Sequence, residues 1–480
     1  MRNIINFKKL AQNSLRRKAL LIAEAGYEAI EIEKVIKKRI KLRSNKLKIV
    51  HSYILENVGI NKNLEKNAVN AELDRLGMEI DLNNFKRIFV IGIGKGSALA
   101  SAILAKILGK RLNKCIALDI NKPLLNSKFL ILNSKFFVGT HPLPSKQNIK
   151  ATQEIIKLTK SLNEKDLLIT FICGGGSALA CASKAELKNT TSAIKELTKA
   201  GAAISELNTV RKHFSDFKGG NLAKMACPAK VVSLIVSDVC GNDLSNVASG
   251  PTVLDKTTKK DAVAIIKKYL RESAHRSALI FALKETPKDV GCFKNVKNIL
   301  FVCNQDAIAG TIKKIEELEL KARIHSLALE GEARTVFLQM IKNIKFSEAI
   351  IAAGETTVTL KNKKSGKGGR NQEAVLGAIN IFANQSQIKF ANIREKINNG
   401  LENIIIISFT SDGHDNTKAA GVIGDFLTLE KAKKLKLNPQ KYLNNHDSFN
   451  FFKKIGDLIY AEQKCFNVAD LMLVLSLPKE

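Results

Sequence analysis

The most constraining feature of this chain is a recurring unit. A run of apolar, β-branched residues ends in glycine or an acid, and a segment with helical spacing follows. Arg87–Ile93 leads into Gly94, and Asp166–Cys173 into Gly174-Gly175-Gly176. Val231–Val239 and Asn298–Cys303 repeat the pattern, and Ala349–Ala353, Asn403–Ser408 and Leu471–Leu477 are further strand candidates. Helices are predicted over Ser97–Gly109, Lys150–Leu162, Ser177–Ala185, Asp261–Leu270 and Ala307–Leu318. Strands without polar alternation, separated by helices, predict an α/β fold with largely parallel sheets. Such sheets bind ligands beyond the carboxyl ends of their strands, where the glycine-rich and acidic clusters of this chain fall.

A length of 480 residues, 45% of them hydrophobic, supports two or three domains with substantial cores. A break is expected at 285–297, where Glu285-Thr286-Pro287-Lys288 interrupts the pattern. Residues 361–371 read as a Gly/Lys-rich loop and 384–402 as a polar surface excursion. The N-terminal apolar residues Leu20, Ala23, Tyr27, Ile30 and Val35 recur at near-helical spacing through Ile40, which predicts one amphipathic helix rather than a cleaved leader. The eight cysteines are sparse and form no CxxC pair, so reduced, buried cytoplasmic thiols are expected rather than a disulfide scaffold or zinc site. No run is apolar enough over about 18 residues to span a membrane. The net charge of +32 raises nucleic acid as a partner, but lysine is spread along the whole chain. With no tryptophan and five tyrosines, few platforms exist for stacking bases, so no specific nucleic-acid partner is expected. The sequence is compatible with a homo-oligomer.

Five clusters could carry chemistry. In Gly92-Ile93-Gly94-Lys95-Gly96-Ser97 a glycine turn opens a helix and could cradle an anion. It is not a Walker A loop, which would need glycine at Phe89 and Ser or Thr at Gly96. Ser97 stands where a dinucleotide fingerprint has its third glycine, although Asp119 ends the next apolar run, where a ribose-binding acid could sit. Gly174-Gly175-Gly176-Ser177 offers a second cradle, with Ser177 as an anion donor or helix cap. Ser177 is no nucleophile elbow, because Leu179 replaces the second glycine. Asp238 and Asp243 follow a strand and suit Mg²⁺ or a general base, the alternative being turn-forming loop acids. The fourth cluster is Gly354-Glu355-Thr356-Thr357 with Gly368-Gly369-Arg370-Asn371; Arg370 in a glycine frame is placed to clamp phosphate. The fifth, Ser411-Asp412-Gly413-His414-Asp415, offers two acids at a sheet edge. His141, between Thr140 and Pro142, reads as a turn residue, and Arg211 either binds a substrate carboxylate or belongs to a solvated helix face.

These segments, together with His141-Pro142-Leu143-Pro144, Asn208-Thr209-Val210-Arg211, Lys218-Gly219-Gly220, Ala248-Ser249-Gly250-Pro251-Thr252 and Ala419-Ala420-Gly421, resemble the glycerate 2-kinase family that carries a C-terminal MOFRL domain. The likeness runs in register over nearly the whole chain. It implies two Rossmann-like, three-layer α/β domains with an interdomain cleft, divided as 1–290 and 291–480. It implies transfer of the γ-phosphoryl group of ATP, with Mg²⁺, to the 2-hydroxyl of D-glycerate. Lys95 and Arg370 would correspond to the family's key basic residues, with Asp238 as a catalytic acid or base and Asp243 at the metal. Gly94, Gly174, Gly175, Gly176, Ser177, Arg211, Glu355, Asn371, Asp412 and Asp415 would line the substrate and nucleotide sites. The chain departs from the family near its end, where a Thr/Gly-rich turn is replaced by Ala461-Glu462-Gln463-Lys464-Cys465-Phe466-Asn467. Three alternatives stay open: a nicotinamide-dependent hydroxypyruvate reductase, a kinase for another small 2-hydroxy acid, and a non-catalytic anion-binding descendant.

Overall fold

The computed structural model describes residues 2–52, 77–123, 133–360, 365–384 and 401–478. The expected loop at 361–371 and excursion at 384–402 fall partly outside these residues. The chain divides into two compact units, the described residues of Val35–Ser52 with 64–302 and those of Met1–Lys34 with Cys303–Glu480.

In the first unit, strands β1 (Ile40–Arg43), β2 (Lys46–Val50) and β3 (Gly77–Asp81) form a small antiparallel sheet. The main sheet holds β4 (Arg87–Ile93), β5 (Leu112–Asp119), β6 (Ser134–Val138), β7 (Asp166–Cys173), β8 (Lys230–Val236) and β9 (Val296–Val302). All six are parallel, in the order β6-β5-β4-β7-β8-β9. The chain runs outward from β4 to β6, returns to β7 beside β4, and runs out the other way. The reversal lies between β4 and β7. The central strands β4 and β7 are buried but for Arg87, which explains their uninterrupted apolar sequence. Helices Lys184–Lys199, Ile204–Phe214, Lys259–Tyr269 and Ala274–Ala282 build a separate apolar cluster around Leu197, Val210, Phe214, Ile266 and Leu279.

The second unit has β10 (Lys321–Leu329), β11 (Glu348–Gly354), β12 (Ile404–Thr410), β13 (Gly421–Asp425), β14 (Leu458–Ile459) and β15 (Asp470–Ser476), in the order β10-β11-β15-β12-β13-β14. Only β10 and β11 are parallel; every other pairing is antiparallel, so the expectation of largely parallel sheets fails here. The apolar runs misled because this sheet is covered on both faces. Ile350, Ala352, Ile406, Met472 and Val474 share a core with helix Arg370–Ala383, whereas Leu471 packs beside Gly26 of helix Ser14–Ala29. Burial on both faces erases the polar alternation by which an antiparallel strand is usually recognised.

The N-terminal segment as far as Lys34 belongs to this second unit. Its helix is interrupted, as Ser14–Ala29 and Ile32–Arg39, because the backbone between them pairs elsewhere: Ile32 donates to Lys464 O at 3.0 Å and Phe466 to Ile30 O at 3.0 Å. Helix Ser14–Ala29 lies close against Asn304–Glu317, where a Cβ on Gly310 would stand 2.6 Å from Ala29 Cβ. The division after Val302 differs from the expected 290/291 by one strand, since β9 completes the parallel sheet beside β8. Five cysteines are buried and Cys227, Cys240 and Cys292 half-buried, none in a disulfide. Among the described residues no helix is long and apolar enough to cross a membrane.

Candidate functional site

The reversal between β4 and β7 brings the two glycine loops side by side, where an open parallel sheet forms its crevice. Lys95 N donates to Gly174 O at 2.9 Å. Gly94 has φ +107°, and a Cβ there would stand 2.3 Å from Cys173 O, so the contact requires glycine. Gly175, at φ +76°, lies beside Lys95 and His141. Gly176 lies under Ala248, and Ser177 Oγ is 2.8 Å from Ser249 Oγ. Ala248, Ser249 and Gly250 are left-handed in succession, at φ 50°, 59° and 58°. Such strain on two side-chain-bearing residues persists only where surrounding structure enforces it. Here Gly219 donates to Ser249 O at 2.9 Å and Gly220 to Gly250 O at 2.8 Å.

Asp119 is spent differently from the ribose-binding reading. Its buried carboxylate accepts from Ala98 N at 3.0 Å and Ile120 N at 2.7 Å, which closes the start of helix Ser97–Leu108 from within. Burial pushes this carboxyl up to about 6, against the opposing pull of the backbone amides. Because the folded value is raised, its contribution to stability is full in acid and declines as pH rises through about 6. Asp119→Asn turns an amide NH₂ toward one of these N–H donors. It is expected to cost about 1–3 kcal/mol, read as a lower denaturant midpoint at unchanged slope.

Helix Ile204–Phe214 presents its basic residues in two ways. Lys212 is internal, with Nζ 3.2 Å from the buried carboxylate of Asp255, as is Lys218 with Glu186 at 2.8 Å. Arg211 is half-buried, and its Nη1 donates to Asn208 Oδ1 at 2.6 Å. No carboxylate among the described residues pairs with it, and burial lowers the pKa of the guanidinium. Asp243 is exposed and holds its own turn, accepting from Ser245 N at 2.9 Å and Asn246 Nδ2 at 2.8 Å. Asp238 is half-buried just past the end of β8. The described residues contain no cluster of three metal-ligating side chains.

In the second unit, Arg370 opens helix Arg370–Ala383 but is already partnered. Its Nη2 donates to Glu355 Oε1 at 2.7 Å, and its Nε and Nη2 grip Asp470. Burial pushes the Asp470 carboxyl up to about 7, with Arg370 pulling the other way. Asp470 escaped the sequence reading; an acid directly ahead of an apolar run was its only signal. Asp415 and Asn371 are buried and satisfy each other rather than line an open site. The Asp415 carboxylate accepts from Asn371 N at 3.2 Å, Gln372 N at 2.9 Å and both side-chain amides. Asp412, half-buried, accepts from His414 N at 3.1 Å. The altered segment 461–467 is held by the N-terminal arm, with Glu462 N donating to Asn3 O at 2.9 Å, and Asn467 Oδ1 accepts from Ser411 Oγ at 3.3 Å.

Comparison with known proteins matches residues 19–283 to a domain of unknown function, DUF4147, and residues 348–470 to the MOFRL family. A D-glycerate 2-kinase of Thermotoga maritima is 34% identical over 409 residues, covering 82% of this chain and 91% of that protein. A protein of Agrobacterium vitis with the provisional name hydroxypyruvate reductase is also 34% identical, over 81% of this chain and 87% of its own length. The crystal structure of a glycerate kinase from Thermotoga maritima aligns with a TM-score of 0.72 at 29% identity, covering 97% of this chain and all of the other.

Proposed function

The chain belongs to the glycerate 2-kinase family, and we propose that it transfers the γ-phosphoryl group of ATP to the 2-hydroxyl of D-glycerate, giving 2-phosphoglycerate and ADP. The observation that carries this reading is the pair of glycine loops joined at the reversal of the parallel sheet, with Lys95 held between them. Phosphoryl transfer asks a protein mainly for in-line positioning and charge neutralisation. Lys95 serves the first unit in that role and Arg370 the second.

Magnesium would arrive with the nucleotide. That ion binds through one or two carboxylates plus substrate phosphates, so it needs no three-ligand cage. Asp238 is the carboxylate that fits, with Asp243 a weaker ligand because both its oxygens hold its own turn. The ion would neutralise charge on the phosphates.

The carboxylate of glycerate is assigned to Arg211. A half-buried guanidinium that no carboxylate among the described residues pairs with is costly until an anion arrives. Arg211→Gln is expected to raise the KM for D-glycerate about 10–100-fold, the equivalent of about 1.5–3 kcal/mol for a charge-assisted bond. The unliganded protein is expected to lose no stability, since no carboxylate among the described residues pairs with this charge. Steady-state kinetics beside a thermal melt check both. A melt several degrees lower would make Arg211 structural instead.

The reductase reading loses its ribose acid, because Asp119 closes its own helix start. The direct experiment couples ADP release to enolase, which consumes 2-phosphoglycerate and not the 3-isomer. Enolase signal with D-glycerate, ATP and Mg²⁺, and no added mutase, supports the proposal. NADH consumption with hydroxypyruvate and no ADP release would replace it.

A further inference from the structure

Three loops meet at Gly175. A Cβ placed on this residue would lie 3.3 Å from Cγ of Lys95 and 3.5 Å from both Cδ2 and Nε2 of His141. The glycine therefore keeps open a space flanked by a lysine from the loop after β4 and an imidazole edge from the loop after β6. The histidine turn is anchored to the same place. Asn148, wholly buried, accepts from Thr140 N at 2.9 Å and Ser145 N at 3.0 Å. The same side chain donates to Leu179 O at 3.0 Å, at the end of the short helix that follows Gly175. Thr140 Oγ1 closes the turn on Leu143 O at 2.6 Å. The imidazole itself is exposed.

We propose that His141 is the base that takes the proton from the attacking hydroxyl of the acceptor, an assignment that rests on the kinase reading above. In the step, the O–H bond at C2 of D-glycerate breaks and its proton passes to His141 Nε2. The oxygen forms a bond to the γ-phosphorus, and the bond from that phosphorus to the bridging oxygen breaks, leaving its electron pair on ADP. The imidazolium then returns the proton to water. A neutral imidazole is the side chain suited to accept a proton near neutral pH. Among the described residues, the charged groups of these loops and strand ends include Lys95, Asp119 and Asp238. Lys95 lies across the glycine, Asp119 is turned into its helix start, and Asp238 follows β8, close enough for its charge to act on Cys173.

The test uses the full chain, His141→Gln and His141→Asn, each checked by thermal melt against the parent. Turnover with saturating ATP and Mg²⁺ is followed from pH 5.5 to 9. Both variants are expected to melt with the parent, to lose about 10²-fold in kcat, and to keep KM for D-glycerate within about threefold. The acidic limb of the parent's kcat profile is expected to vanish in both. Unchanged kcat, or a loss confined to KM, overturns the assignment. If the parent itself turns over no D-glycerate, the kinase reading falls and this inference with it. An active parent with undiminished variants sinks the inference alone.

Discussion

Replacing Lys95 with methionine is expected to lower kcat by about 10²–10³-fold, the effect of removing one preorganised charge donor from a transferring group. The argument begins with the backbone. Gly94 at φ +107° is pressed against Cys173 O, and Lys95 N is bonded to Gly174 O at 2.9 Å. The lysine is thus fixed by both loops at the sheet reversal, and its Cγ passes over Gly175. In the proposed mechanism the ammonium of this side chain would neutralise charge as it develops on the phosphoryl oxygens. Methionine keeps most of the side-chain volume and removes the charge, so the melt is expected to hold while turnover falls. Lys95→Arg is expected to recover little, since a broad planar guanidinium does not reproduce a compact ammonium in a glycine-lined space. Full turnover in Lys95→Met, measured by ADP release, would remove Lys95 from the mechanism.

Both glycine loops were readable in the sequence for a physical reason. Close backbone approach and positive φ leave few choices but glycine, so the requirement is written in the residue type. The acids were not readable in the same way. Asp119 and Asp415 follow or end strands, as ligand-binding acids do, yet each carboxylate turns onto the amides of a helix in its own unit. Residue order does not say which way a carboxylate points at a strand end, and an unsatisfied helix N-terminus competes with a ligand for it. Arg370 was readable as a cation at a helix start, but its partner Asp470 lies one hundred residues away in sequence.

The strands themselves were located to within a few residues at β4, β7, β8, β9, β11, β12 and β15. Their direction in the second sheet was not, because helices on both faces bury every residue of β11, β12 and β15. The long-range pairing of residues 30–32 with 464–466 was equally out of reach of local periodicity. It gives the altered 461–467 segment a definite role, as the seat of the N-terminal arm. The segment's departure from the family's Thr/Gly turn is therefore a change in a region that the arm covers.

That arm carries the largest expected effect on stability. Arg16 is completely buried, with Nε and Nη2 each 2.7 Å from the Asp425 carboxylate and Nη1 2.9 Å from Asp457. Burial alone would lower the guanidinium's pKa, but the two carboxylates more than reverse this and hold it charged. Burial likewise works against ionised Asp457, and the bond from Arg16 leads the effects that bring its pKa below the usual carboxylate value. Stability from Asp457 is therefore present above the ordinary carboxylate range and lost as pH falls through the depressed value. Arg16→Met leaves Asp425 in the interior without its cation and Asp457 with Lys431 alone, at 3.1 Å. The expected cost is about 3–5 kcal/mol, because breaking a buried pair strands its charge. Denaturant unfolding measures it, and amide exchange in helix Ser14–Ala29 shows where it falls. Removing the carboxylates as well, by Asp425→Asn and Asp457→Asn in the Arg16→Met background, is expected to return part of the loss, although Asp425 also accepts from Thr428 N at 2.9 Å. Recovery would identify stranded charge as the cause. An Arg16→Met protein as stable as the parent would mean that the ion triad does not hold the arm, and that packing of Gly26 and Gly310 between the helices suffices.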